Sequence, residues 1–107
     1  LNVHYWEEGV RVKVTVQYLG QVSAVLNKSR EEVEVSSKTT VYTLLKQLAD
    51  RYGEAFEGEV FEEEGKTVRE GLIVTVNGRA IGQLQGIKTR LNVKDVVTLL
   101  PLFTGGG

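Results

Sequence analysis

The chain has 107 residues, 41% hydrophobic and 25% charged, with 14 acidic against 13 basic side chains and a formal net charge of -1. That length makes one domain with a single modest core, and the near-zero charge offers no electrostatic footprint for nucleic acid or an anionic membrane surface. With no Cys and a single histidine, His4, the chain lacks disulfides, thiolate metal ligands and thiol nucleophiles, which excludes most cofactor-free catalytic arrangements; neither a metal site nor a catalytic residue is expected.

No apolar run approaches the roughly 20 residues of a bilayer span, and the N-terminus lacks the basic-then-apolar order of a signal peptide. A cytoplasmic location is expected. No Met occurs, and residues 1–9, with His4 and Trp6, are read as an N-terminal extension, in part foreign to the domain. The domain is expected over 10–101, followed by a flexible C-terminal tail over 102–107.

From Val10 the sequence alternates, with Val12, Val14, Val16 and Tyr18 on one side and Arg11, Lys13, Thr15 and Gln17 on the other, which predicts a half-buried strand. A polar stretch after Leu19-Gly20 leads to a second alternation, Glu32 to Ser36. The pair reads as an antiparallel hairpin with a long loop. Ser37 to Thr40 are candidate N-caps, and Val41, Leu44, Leu45, Leu48, Ala49 and Tyr52 then share one helical face, with Lys46, Gln47, Asp50 and Arg51 opposite. Gly53 is expected to stop that helix in the left-handed conformation.

Residues 54–71 are acidic, with Glu62, Glu63 and Glu64 in a row, and predict a loop with a short helical turn anchored by Phe56, Val60 and Phe61. Leu72 to Val76 predict a strand that runs into Asn77-Gly78, a strong hairpin-turn signal, with a short return strand through Ala80 and Ile81. Residues 82–95 have no sustained period, and Gly82 and Gly86 do not make a phosphate loop because no Gly-Lys-Ser/Thr follows. Val96 to Leu100 form a continuous apolar run, which predicts a central strand covered on both faces. Pro101 cannot donate to a ladder and is expected to end it. The order suits an α+β layout, a mixed sheet of four to five strands with one main helix across one face.

The tail carries the chemistry. Gly105, Gly106 and Gly107 have no Cβ and can pass along a channel that excludes other residues. Counted from Pro101, the stalk reaches ~23 to 25 Å. Leu102 and Phe103 are apolar side chains beyond the last strand, with a use in docking as their expected role.

A hairpin, a helix, further strands and a protruding Gly-Gly tail resemble the β-grasp, ubiquitin-like proteins. Within these, the MoaD/ThiS sulfur-carrier family, with the archaeal small ubiquitin-like modifiers and the ubiquitin-related modifiers, is the one the chain looks most like. The resemblance lies in Val12 to Tyr18, in Thr40-Val41-Tyr42-Thr43-Leu44-Leu45-Lys46-Gln47-Leu48, in Val74-Thr75-Val76-Asn77-Gly78, and in Asp95-Val96-Val97-Thr98-Leu99-Leu100-Pro101 followed by Gly-Gly. It covers roughly 10–107. Where the family usually has Gly-Asp before the last strand, this chain has Lys94-Asp95; where it has Pro-Pro, a branched apolar residue and Ser or Ala, this chain has Pro101-Leu102-Phe103-Thr104, and a third glycine follows.

The resemblance implies a carrier without catalytic groups or a bound cofactor. An E1-like adenylating enzyme would use ATP to activate the carboxyl of Gly107, with Gly106 and Gly105 threading the partner's channel and Pro101, Leu102 and Phe103 docking. Sulfur transfer would then give a C-terminal thiocarboxylate for a molybdopterin-synthase large subunit, for thiamine synthesis or for a tRNA-thiolation enzyme. Transfer to substrate-protein lysines would instead make the chain a protein modifier. A plain β-grasp interaction module is the remaining alternative.

Overall fold

The computed structural model describes residues 10–62 and 67–102. Residues 1–9, Glu63 and Glu64 of the acidic run, and Phe103 and Gly105 to Gly107 lie outside the described residues. The first alternation forms strand β1 (Arg11–Tyr18), with Val14, Val16 and Tyr18 turned into the core. It pairs antiparallel with β2 (Arg30–Ser36) in the register Val14↔Val33 and Val12↔Val35, so the apolar sides of both strands face inward together.

The hairpin connection is not the expected long loop. It contains helix α1 (Gly20–Leu26), which buries Val22 and ends at Asn27 in the left-handed conformation (φ 57). Seven residues with one buried side chain are too short to display a helical period, and this hid the helix in the sequence.

Helix α2 (Val41–Tyr52) begins as expected, with the Thr40 hydroxyl accepting from the Thr43 amide at 3.2 Å, and buries Val41, Leu44, Leu45, Leu48 and Ala49. Gln47 departs from its expected polar face. It is buried, and its Nε2 donates to the Glu34 carbonyl at 3.1 Å, so α2 satisfies a backbone acceptor of β2. Gly53 has the positive φ expected of it (84), but its ψ of -161 lies outside the left-handed helical region. It serves two helices: its amide donates to the Ala49 carbonyl at 2.8 Å, and its carbonyl accepts from the Glu57 amide at 3.0 Å.

That junction launches α3 (Glu54–Val60), where a loop with one helical turn was expected; Phe56 and Val60 are its buried anchors. A small antiparallel ribbon of β3 (Phe61–Glu62) and β4 (Thr67–Val68) follows. Strand β5 (Leu72–Val76) turns through Asn77 and Gly78, at φ 53 and 85, into β6 (Arg79–Ala80), as the Asn-Gly pair requires. Ile81 leaves the ladder and starts a 3-10 turn.

Strand β7 (Val96–Pro101) runs parallel to β1 and antiparallel to β5, giving the order β2-β1-β7-β5-β6. It is central, as expected, but not covered on both faces. Val97 and Leu99 enter the core, whereas Val96, Thr98 and Leu100 stay half-buried on the face opposite the helices. Five strands gripping one main helix make this a β-grasp fold.

Pro101 ends β7, as expected, but it still pairs with Leu72, and the Leu102 amide beyond it donates to the Gly71 carbonyl at 2.8 Å. Alternate residues of β7 bond to alternate sides, so the missing N–H of Pro101 falls on the β1 side, where pairing has already stopped, and no bond is lost.

Two substitutions test this architecture. Leu48→Ala empties a fully buried position and is expected to cost about 2–5 kcal/mol in denaturant melts; a loss below about 0.5 kcal/mol would mean α2 does not hold the core. Lys94 has φ 70, a conformation that costs a residue with a Cβ about 1–2 kcal/mol. Part of that is offset by the freer unfolded chain of glycine, so Lys94→Gly is expected to stabilise by about 0.5–1 kcal/mol, and a destabilised Lys94→Gly protein would contradict the strain.

Candidate functional site

The two described members of the expected docking trio lie at one end of the sheet, with Pro101 half-buried and Leu102 65% exposed. Leu102 is still held by its bond to Gly71, and residues 103–107 follow it. Their reach is at most ~17 to 18 Å rather than the ~23 to 25 Å counted from Pro101.

The uncovered face of the sheet is graded along the strands. Near the start of β1 it carries Lys13, Glu32 and Glu34, all exposed. Toward the tail, Leu100 lies opposite Ile73 on the same face, both half-buried, and Leu102 follows by the alternation of β7. An apolar surface therefore adjoins the point where the tail leaves. The groove lined by Arg11, Lys13, Thr15, Glu32, Val93 and Lys94 is at the opposite end of β1 and does not belong to it.

A polar brace fixes the other end of β7. Asp95 is buried, and its carboxylate accepts from Asn77 Nδ2 at 2.9 Å and from the Asn92 amide at 2.8 Å. Asn77 Oδ1 in turn accepts from the Val96 amide at 2.9 Å. The Asp95 carbonyl accepts from the Thr15 amide at 2.9 Å, which ties the brace to β1. Asn77 is thus more than the turn residue its Asn-Gly context indicates. The turn motif was legible in the sequence; the contact 18 residues away was not.

A second polar cluster escaped the sequence reading. Glu31 lies on the inner side of β2, with its side chain 14% exposed, and its Oε2 accepts from the hydroxyls of Tyr18 at 2.6 Å and Tyr52 at 2.7 Å. Lys28 Nζ donates to the Tyr52 hydroxyl at 2.8 Å and to Glu31 Oε1 at 3.4 Å, with Arg51 3.6 Å from the same oxygen. The Phe56 ring meets Tyr18 edge-on at 6.5 Å. Partial burial pushes the Glu31 carboxyl up, but the two tyrosine hydrogen bonds and the Lys28 ammonium more than offset it and hold the group below the ordinary carboxylate range. Burial, then the bond to Glu31, pushes the Tyr18 hydroxyl well above the ordinary phenol range. Donation to Tyr52 chiefly raises Lys28. The cluster joins β1, β2 and α2. Among the described residues no three His, Asp or Glu side chains are arranged to hold a metal ion, and no helix is long and apolar enough to cross a membrane.

A β-grasp domain whose last central strand delivers an exposed apolar root and then a glycine-rich segment has the design of a ubiquitin-like carrier or modifier, a class in which the chain is acted upon. The model of the ThiS family matches residues 16–106, and the chain belongs to that family. No curated protein sequence matches it. Among solved structures it is similar to the HVO 2177 protein of Haloferax volcanii, with 23% identity, a TM-score of 0.78 and 98% of each chain covered. SAMP1 of the same organism has 22% identity and a TM-score of 0.75 over 89% of this chain and 99% of that one. A putative molybdopterin converting factor, subunit 1, from Pyrococcus furiosus has 26% identity and a TM-score of 0.65, over 86% of this chain and 99% of that one.

The Glu31 cluster makes a pH-dependent prediction. A carboxyl held below its unfolded value, about 4.3, stabilises fully above that pH, and its contribution is lost as pH falls through the lower folded value. Glu31→Gln is expected to cost about 1–3 kcal/mol at pH 7 and much less near pH 3, in denaturant melts at both pH values. A cost that is the same at both would show that the charge of Glu31 is not what the tyrosines hold.

Proposed function

We propose that this chain is a ubiquitin-like sulfur carrier whose Gly107 carboxyl is activated by an E1-like adenylating enzyme. A carboxylate at neutral pH is a poor electrophile. Attack of its oxygen on the α-phosphate of ATP expels pyrophosphate and leaves an acyl-adenylate, from which a sulfide nucleophile expels AMP to give the thiocarboxylate. The chain has no Cys, so any sulfur it carries resides on the terminal carbonyl. Catalytic groups and nucleotide belong to the partner, and chemistry that consumes ATP fits the cytoplasm.

The observation that supports this reading most is the tail root: an exposed Leu102, held to the last bond of a central strand, followed within three residues by Gly105-Gly106-Gly107. Pro101, Leu102 and Phe103 dock, and Gly105 and Gly106 thread. The family match, which runs through Gly106, supports the same assignment. The thiocarboxylate would be consumed by an enzyme of the molybdopterin-synthase large-subunit or tRNA-thiolation kind or in thiamine synthesis, and the likeness to a putative molybdopterin converting factor favours the first. The likeness to a small archaeal modifier protein supports a second reading, in which the acyl-adenylate passes to a lysine amine of another protein.

Deleting Gly106 and Gly107 is expected to leave the melting curve unchanged, since no described sheet bond involves them, while abolishing ATP–pyrophosphate exchange with the E1-like enzyme. Exchange that survives the deletion would refute activation at Gly107. In the intact mass of the free pool, one oxygen replaced by sulfur is the expected main product; abundant lysine-linked conjugates with no sulfur-bearing free form would establish the second reading instead.

A further inference from the structure

Asn77-Gly78 has a chemistry that its role in the turn does not use. An asparagine side chain can be attacked by the backbone nitrogen of the residue after it, and glycine, without a Cβ, hinders that nitrogen least. The pair is exposed at the tip of the β5–β6 hairpin. In the first step the Gly78 nitrogen gives its proton to a solvent base and bonds to Asn77 Cγ, the Cγ–Nδ2 bond breaks, and Nδ2 leaves with a solvent proton as ammonia. Water then opens the resulting imide ring at either of its carbonyls, leaving a carboxylate side chain or a backbone rerouted through Cβ and Cγ. Water is taken up, ammonia is released, and a negative charge stays behind.

The fold holds this reaction shut. Positive φ at both central residues, 53 at Asn77 and 85 at Gly78, with Val76 paired to Arg79, makes a type I′ turn. In that turn ψ of the first central residue is about +30°, whereas ring closure needs the Gly78 nitrogen eclipsed with Cβ, at a ψ of about -120°. The peptide between them must swing most of the way round, which the pairs Val76↔Arg79 and Thr75↔Ala80 do not allow while the hairpin is closed. The side chain is tied as well. Its Nδ2 donates to Asp95 Oδ1 at 2.9 Å and its Oδ1 accepts from the Val96 amide at 2.9 Å, and both bonds point it toward β7 rather than toward Gly78.

The same bonds make the product unwelcome. With Nδ2 replaced by oxygen, the atom 2.9 Å from Asp95 Oδ1 no longer donates, and two carboxylates face each other where Asp95 is buried. Asp95 also bonds the Asn92 amide, and its carbonyl accepts from Thr15, so the repulsion falls where β7 enters its place beside β1. We propose that Asn77 is a self-modification site, held unreactive by its turn and brace, whose deamidation during an opening of the hairpin is a one-way latch: the carboxylate formed at position 77 repels Asp95 and keeps the start of β7 loose. The step needs only water and no partner, so it stands whether or not the chain carries sulfur.

The full chain is incubated in mildly alkaline buffer with and without denaturing urea, and the exchange of amide for carboxylate is followed by mass in the tryptic peptide 70–79, where Asn77 is the sole asparagine. Deamidation in urea is expected to be at least about tenfold faster than in the folded chain, because the folded chain reacts only from its opened hairpin. Asn77→Asp, which installs the product directly, is expected to lower the melting temperature by roughly 4–8 °C. Combining Asn77→Asp with Asp95→Asn sets amide against carboxylate again with their sides exchanged, and is expected to recover about half of that loss or more. Equal rates with and without urea would overturn the gate, and no reaction at Asn77 in either would overturn the site. An Asn77→Asp chain as stable as wild type, or one that Asp95→Asn does not rescue, would overturn the latch.

Discussion

The parallel pairing of the last strand with the first is the constraint on which the rest of the structure depends. Parallel neighbours cannot be joined by a tight turn, so the chain between Tyr18 and Val96 must make a long excursion that passes over one face of the sheet before β7 can take its place beside β1. The main helix, the two short helices and β5 with β6 all lie within that excursion. Its helices cover one face, leaving the other open. The central slot also gives β7 a ladder on each side, so the chain that leaves it does so from a strand with both neighbours in place. A pull on the tail meets two sets of backbone bonds, Leu102–Gly71 on one side and Leu19–Leu99 on the other, before it reaches the core.

Periodicity made α2 and β1 legible, because each has at least three inward residues at a regular spacing, whereas β7 was legible as a continuous apolar run. The Asn77-Gly78 turn was legible for a different reason, as a dipeptide with its own backbone geometry. The failures share a cause as well. α1 and α3 have seven residues each and only one or two buried side chains, below what a period can reveal. Gln47 is polar and lies on the boundary of the helical face, so its polarity suggested solvent, while the nearby Glu34 carbonyl decided otherwise. The Glu31 cluster unites residues 13 and 21 positions apart, and nothing local marks Tyr18 or Tyr52 as its donors. Leu102, an apolar residue after a proline, was conspicuous in the sequence, and the structure leaves it exposed at the end of the sheet.

Two residues stand against local preference. Lys94 holds a left-handed backbone just before Asp95, where the family resemblance places glycine; its neighbour Asp95 needs that geometry to reach Asn77 and Asn92, but nothing in the structure explains the lysine itself. Gln47 leaves its Oε1 buried without a hydrogen-bond partner while its Nε2 is satisfied, a cost tolerated because the amide would otherwise leave Glu34 uncapped.

The grading of the open face bears on how a partner is recognised. Its charged end contains pairs such as Arg11 and Glu34, 3.4 Å apart with about half of each side chain exposed, and exposed pairs of that kind contribute little net energy and weaken with salt. Its apolar end, beside the tail, can lose water on contact, and that gain persists in salt. A partner approaching this face would be oriented by the charges and held at the apolar end, where contact removes water.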